Sequence, residues 1–160
     1  MSDIRDVILL DPSDPVELTR QLCNIESVSG DEARITDGIE VALRGATHLR
    51  VVRDGDTLIA RTERGCTERV IIAGHVDTVP INNNLPVRDS IDASGEAVIW
   101  GRGTVDMKAG AAVQLAVALE LVEPAVDVTW IWYDHEEVSS ELNGLGRALR
   151  NHPELFEADF

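Results

Sequence analysis

Cysteine is scarce in this chain: Cys23 and Cys66 are the only 2 in 160 residues. Two cysteines build no disulfide framework, and neither stands in a Cys-x-x-Cys spacing, so a stapled secreted scaffold and a thiolate zinc ribbon are both excluded. Such usage fits a reducing cytoplasm. Positive charge is short as well, with 14 Lys and Arg against 29 Asp and Glu, for a net charge of −15. An acidic excess of that size repels phosphate backbones and anionic lipid, and the expectation is no nucleic-acid and no membrane partner. Long apolar runs are also missing: nothing approaches the ~18 residues of a membrane span, and the acidic opening residues lack the apolar stretch of a signal peptide. The chain is expected to be cytoplasmic, with a small-molecule substrate as its partner. It contains neither an internal repeat nor a low-complexity tract.

What is present suits a folded domain. The apolar fraction is 44% and the charged fraction 27%, near the values of soluble globular domains, and the length suffices for one hydrophobic core. "SDPVELTRQLCNIESVSG" opens with Asp14 as N-cap, Pro15 at the first helical position and Glu17 at capping-box spacing; Leu18, Leu22 and Ile25 fall on one face of the predicted helix. "GDEARITDGIEVALRG" repeats the pattern with Ile35, Ile39 and Leu43, ending at Gly45. "LRVVR" and "TLIAR" flank "DGD" as a hairpin, and "RVIIAG" has the β-branched density of a buried strand.

Further along, Asn82 to Gly95 has the composition of a loop. A short strand, a glycine-rich turn and an alanine-rich helix from about Lys108 to Leu121 are predicted next, then the strand "VDVTWIWY" and a short helix in "NGLGRALRNHP". The closing "EADF" resembles the start of another strand. Alternating strands and helices predict an α/β fold, a mixed sheet flanked by helices.

Polar residues gather where strands end: His75 and Asp77 after one, Asp106 in the glycine turn, Glu136 and Glu137 after another. Each cluster alone is ordinary, since a histidine after a strand is usually just hydrogen-bonded and loop acids are usually solvated. Their convergence would be another matter, because sites in open α/β sheets form at strand ends. A spacing of two puts Asp77 on the same side as His75, where it can accept one ring N–H and leave the other nitrogen for a metal. Asp106 could bridge two cations through its two oxygens. Adjacent Glu136 and Glu137 point apart in extended chain, so one can bind metal while the other faces a water. Such a donor set favours zinc, and two ions would acidify a water for amide hydrolysis.

"GHVDTVP", "GRGTVDMKAG" and "YDHEEV" resemble, in order, the N-terminal metal-site motifs of the co-catalytic zinc peptidase family that includes aminoacylase and carboxypeptidase G. The resemblance implies His75 on one zinc, Asp106 as bridge, Glu137 on the other zinc, Glu136 as general base and Asp77 orienting His75. It implies two Zn2+ per complete site, with Co2+ as a substitute. His135 is expected to be incidental or to support the ligands, and His48 and His152 to lie at the surface. Residues 1–160 would form the N-terminal part of the catalytic domain, without the family's lid domain, its homodimer interface or its later ligands. By this reading the 160-residue chain alone is expected to be inactive or nearly so. Other acylated amino acids or dipeptides as substrates, and a metal-binding role without catalysis, stay open at this stage.

Overall fold

The computed structural model describes residues 8–160. Helix α1 spans Pro15–Asn24 and α2 spans Ala33–Arg44; strands β1 (Arg50–Asp54), β2 (Thr57–Arg61) and β3 (Arg69–His75) follow. Then come β4 (Arg88–Ile91), β5 (Ala97–Trp100), α3 (Lys108–Glu120), β6 (Asp127–Tyr133), α4 (Gly144–Asn151) and a 3-10 turn at Pro153–Leu155. No helix among the described residues is long and apolar enough to cross a membrane.

Asp14 caps α1 as its position predicts, accepting the N–H groups of Val16 and Glu17, a contact worth about 1 kcal/mol in typical helices. Glu17 does not close the capping box. Its carboxylate lies along the helix instead, beside Gln21 at 3.5 Å and Arg20 at 3.8 Å, neighbours at the i+3 and i+4 positions.

The main sheet has the order β1-β2-β6-β3, antiparallel across the first two pairings and parallel between β6 and β3, and is therefore mixed. Alternation sends Leu58, Ala60, Val128, Trp130 and Trp132 into a core with α1, α2 and α3. Ile59 and Ile131 point the other way, against Ala148 of α4 and Leu155. Central β6 is buried on both faces, which is why "VDVTWIWY" reads as a continuous apolar run.

Two expectations need correction. Among the described residues β3 pairs within the sheet with β6 alone and Ile72 is 39% exposed, although its β-branched composition reads as that of a buried strand. The loop predicted from Asn82 to Gly95 contains β4, which pairs with β5 in a separate two-stranded sheet. "RDSI" is wholly exposed, so no alternation of buried and solvated residues marks it. The closing "EADF" forms no assigned strand, yet it lies along β3: Ile71 N–H donates to the Phe160 carbonyl at 2.8 Å and Asp159 N–H to that of Arg69 at 2.9 Å.

At the amino end of β6, Asp127 is 2% exposed and accepts hydrogen bonds from Thr62 Oγ1, Arg64 N–H and Cys66 N–H. Burial alone would raise its pKa, but these donors overcome it and hold the carboxyl below its ordinary 3.8. A depressed carboxylate contributes stability above its unfolded-state value and loses it as pH falls through the folded value. Asp127→Asn is therefore expected to cost about 1–3 kcal/mol at neutral pH, with the deficit shrinking in acid. Urea unfolding of both proteins on either side of pH 3.8 measures this.

Candidate metal centre

Parallel β3 and β6 end side by side, His75 in register with Tyr133, so the loops that follow them emerge at one edge of the sheet. The turn before α3 reaches the same place. Its approach depends on Gly74: a Cβ there would come within 2.8 Å of Met107 Cε, and the His75 N–H lies 3.3 Å from Met107 Sδ. Gln114 of α3 also donates to the carbonyls of Ile72 and Ile131, tying the helix across both strands.

All five residues singled out by sequence meet there. His75 is 3% exposed; its Nδ1 lies 3.1 Å from the Asp77 carbonyl oxygen and 3.3 Å from Asp77 Oδ1. Its Nε2 points away from them, 3.0 Å from Asp106 Oδ1 and 4.0 Å from Glu136 Oε2. One donor atom each from His75, Asp106 and Glu137 lie within 4.8 Å of one another, the only such group of three found among the described residues. Glu136 and Glu137 are in a loop past β6, not in the extended chain assumed from sequence. His48 and His152 lie outside this group: His48 Nε2 is 3.0 Å from the Ala118 carbonyl oxygen, and His152 Nε2 is 3.4 Å from Asp54 Oδ2.

The electrostatics suit a cation. Burial disfavours the His75 imidazolium, yet the hydrogen bonds and charges of Asp77 and Asp106 outweigh it and push its pKa up to about 9. Burial raises the Glu137 carboxyl, and the nearby Asp106 charge raises it further. Carboxylates and one imidazole converge with no lysine or arginine among them, a donor set that fits a hard or borderline divalent ion once the imidazole gives up its extra proton.

Asp77 has more partners than its spacing from His75 suggests. Although burial opposes its charge, it is held well below the ordinary carboxylate range by His75, Ser29 and the N–H groups of Glu136 and Glu137. One fully buried carboxylate thus touches both the histidine and the acid pair. Sequence reasoning missed Ser29, which seemed only the tail of a helix end. It also missed Arg147, whose guanidinium grips Asp134 at 2.7 and 3.0 Å and Asp54 at 2.8 Å, pinning α4 to the exit of β6. No local pattern marks partners this far apart in the chain. His135, expected to be incidental or supporting, donates its Nδ1–H to Asp134 Oδ2 at 2.7 Å, one residue before the acid pair.

A mixed sheet between helices thus gathers a histidine and carboxylates, beyond the carboxyl ends of two parallel strands and in the turn before α3, into a candidate metal centre. The chain belongs to Peptidase family M20/M25/M40, which matches residues 71–160. It is 46% identical over 147 residues to a Mycobacterium tuberculosis protein provisionally named as a succinyl-diaminopimelate desuccinylase, covering 91% of this chain and 40% of that one. It is 45% identical over 151 residues to the succinyl-diaminopimelate desuccinylase of Corynebacterium glutamicum, with the same two coverages of 91% and 40%. The chain thus spans about two fifths of the length of these relatives. Among solved structures, a Bacillus subtilis dinuclear metal-binding peptidase of the M20 family shares the fold at TM-score 0.60 and 15% identity, over 92% of this chain and 40% of that one.

Proposed function

We propose that this chain carries part of the dinuclear zinc centre of an amidohydrolase that cleaves N-succinyl-LL-2,6-diaminopimelate to succinate and LL-2,6-diaminopimelate. The observation behind the chemistry is the convergence of His75 Nε2, Asp106 and Glu137, backed by buried Asp77. The substrate rests on the names of the relatives at 45–46% identity. Stretches such as "AGHVDTVPINNNLPVR" and "EEVSSELNGLGR" lie in the same region and resemble those enzymes in wording.

In this reading His75, Asp106 and Glu137 would hold the ions, Asp106 serving as the ligand common to both, and Co2+ would be a workable substitute. When bound, the ions acidify a water and polarise the amide carbonyl. Asp77 accepts the Nδ1–H of His75, which fixes the tautomer and leaves Nε2 as the donor nitrogen. Glu136 takes a proton from the attacking water as the water oxygen bonds to the amide carbon. The C–N bond then breaks and Glu136 returns the proton to the leaving nitrogen, giving a free amine and a carboxylic acid that ionises by releasing the second proton of the water.

A substrate panel tests the assignment. A zinc-loaded chain carried on to the length of the relatives is expected to cleave the succinyl substrate faster than acetylornithine or a dipeptide. Faster release from acetylornithine would leave the hydrolase reading standing and reject the substrate.

A further inference from the structure

The segment between α1 and α2 touches every loop of the metal centre. Ser27 Oγ donates to the Val76 carbonyl at 2.7 Å, the Thr78 N–H donates to the Ser27 carbonyl at 2.9 Å, and the Ser29 N–H to the Thr78 carbonyl at 3.2 Å. The segment therefore lies along residues 76–78 like a short extra strand, with Val28 bridged to Thr78. Ser29 Oγ then donates to Asp77 Oδ2 at 2.6 Å. Toward the third loop, Glu32 is 1% exposed and accepts the His135 N–H at 3.2 Å through one oxygen and the Gly30 N–H at 2.9 Å through the other. Toward the second, Lys108, the only lysine in the sequence, is 1% exposed and donates to the Ile25 carbonyl at 2.6 Å. Its own N–H reaches back to the Gly103 carbonyl at 2.8 Å, fastening the turn that carries Asp106.

We propose that Ile25–Glu32 is a clamp that holds the three donor loops at one spacing, with Ser29 and Glu32 as its positioning residues. Neither residue touches substrate or metal. Ser29 occupies one of the acceptor positions of the Asp77 carboxylate whose others hold His75, Glu136 and Glu137, so it limits how that carboxylate can rotate. Glu32 fixes the backbone one residue before the acid pair. Buried side chains that receive or give their full set of hydrogen bonds lock a rotamer in this way, and loosening such partners of metal ligands typically weakens metal affinity about 10- to 100-fold. The link to metal affinity rests on the proposed zinc centre; the clamp itself does not.

The test uses the 160-residue chain, with amide exchange read by NMR in the metal-free state and zinc affinity read by calorimetry. In Ser29→Ala, exchange at the Glu136 and Glu137 N–H groups is expected to quicken about tenfold, with core strands and the melting temperature little changed. Zinc affinity is expected to fall by about tenfold, the lower end for a lost partner of a ligand. Ser29→Thr, which keeps the hydroxyl, should restore both. Glu32→Gln should quicken exchange at His135 in the same local manner. Exchange that does not move, or that quickens uniformly across the core, overturns the clamp. So does local quickening with unaltered affinity in a chain that binds zinc. If the 160-residue chain binds no zinc, affinity is read instead in a chain carried on to the length of the relatives; no binding there overturns the proposed function, and exchange alone then decides the clamp.

Discussion

His75→Ala is expected to lower the chain's affinity for zinc by more than about a hundredfold, beyond the range seen when only a partner of a ligand is lost. The imidazole supplies the sole nitrogen of the donor group, and its Nε2 faces Asp106 Oδ1 at 3.0 Å. What stays behind is a set of carboxylates without the histidine cation that offsets their charge in the metal-free state, which binds zinc weakly and without fixed geometry. His75 is 3% exposed, so unfolding must be followed alongside. A His75→Ala chain that melts as before and still binds zinc with full affinity would remove this residue from the centre.

Glu136→Gln is expected to lower kcat by about 10²- to 10⁴-fold while sparing the metal, the usual cost of losing a general base. The amide keeps the shape of the side chain and its place beside His75, but it cannot take a proton from water. Glu136 is 42% exposed at the mouth of the centre, and its nearest oxygen is 4.0 Å from His75 Nε2, so the substitution disturbs little packing. Glu137→Gln offers the contrast: it should weaken zinc first and turnover as a consequence. Both variants are assayed for bound metal and succinate release in a chain of the relatives' length. Near-normal kcat in Glu136→Gln, or metal loss equal to that of Glu137→Gln, would reassign the base.

Much of this was legible in the order of residues, for definite reasons. Helix α1 announces itself through its Asp14 cap and apolar face, α2 through its repeating apolar face and terminal glycine, and β6 through its unbroken apolar run. The candidate ligands stood out because His75, Asp106 and Glu137 sit where apolar strands or glycine-rich turns give way to charge. Long-range neighbours were not legible. Nothing in "RVIIAG" tells an edge strand from a central one, and nothing in "RDSI" marks β4, whose partner lies across a turn and whose side chains stay in solvent. The same holds for buried polar contacts. Ser29 and Asp77 are 48 positions apart, and Arg147 reaches Asp54 over 93. Such pairs are chosen by the fold after the strands have stacked, so no local spacing records them.

His75, Asp106 and Glu137 are the residues proposed to hold zinc. Anomalous diffraction from crystals of the zinc-loaded chain tests this assignment most directly. A zinc peak is expected about 2.0–2.2 Å from His75 Nε2 and from a carboxylate oxygen of Asp106 or Glu137, with Asp77 still bonded to Nδ1 behind it. A zinc-loaded crystal whose only peaks lie away from His75 would contradict the assignment.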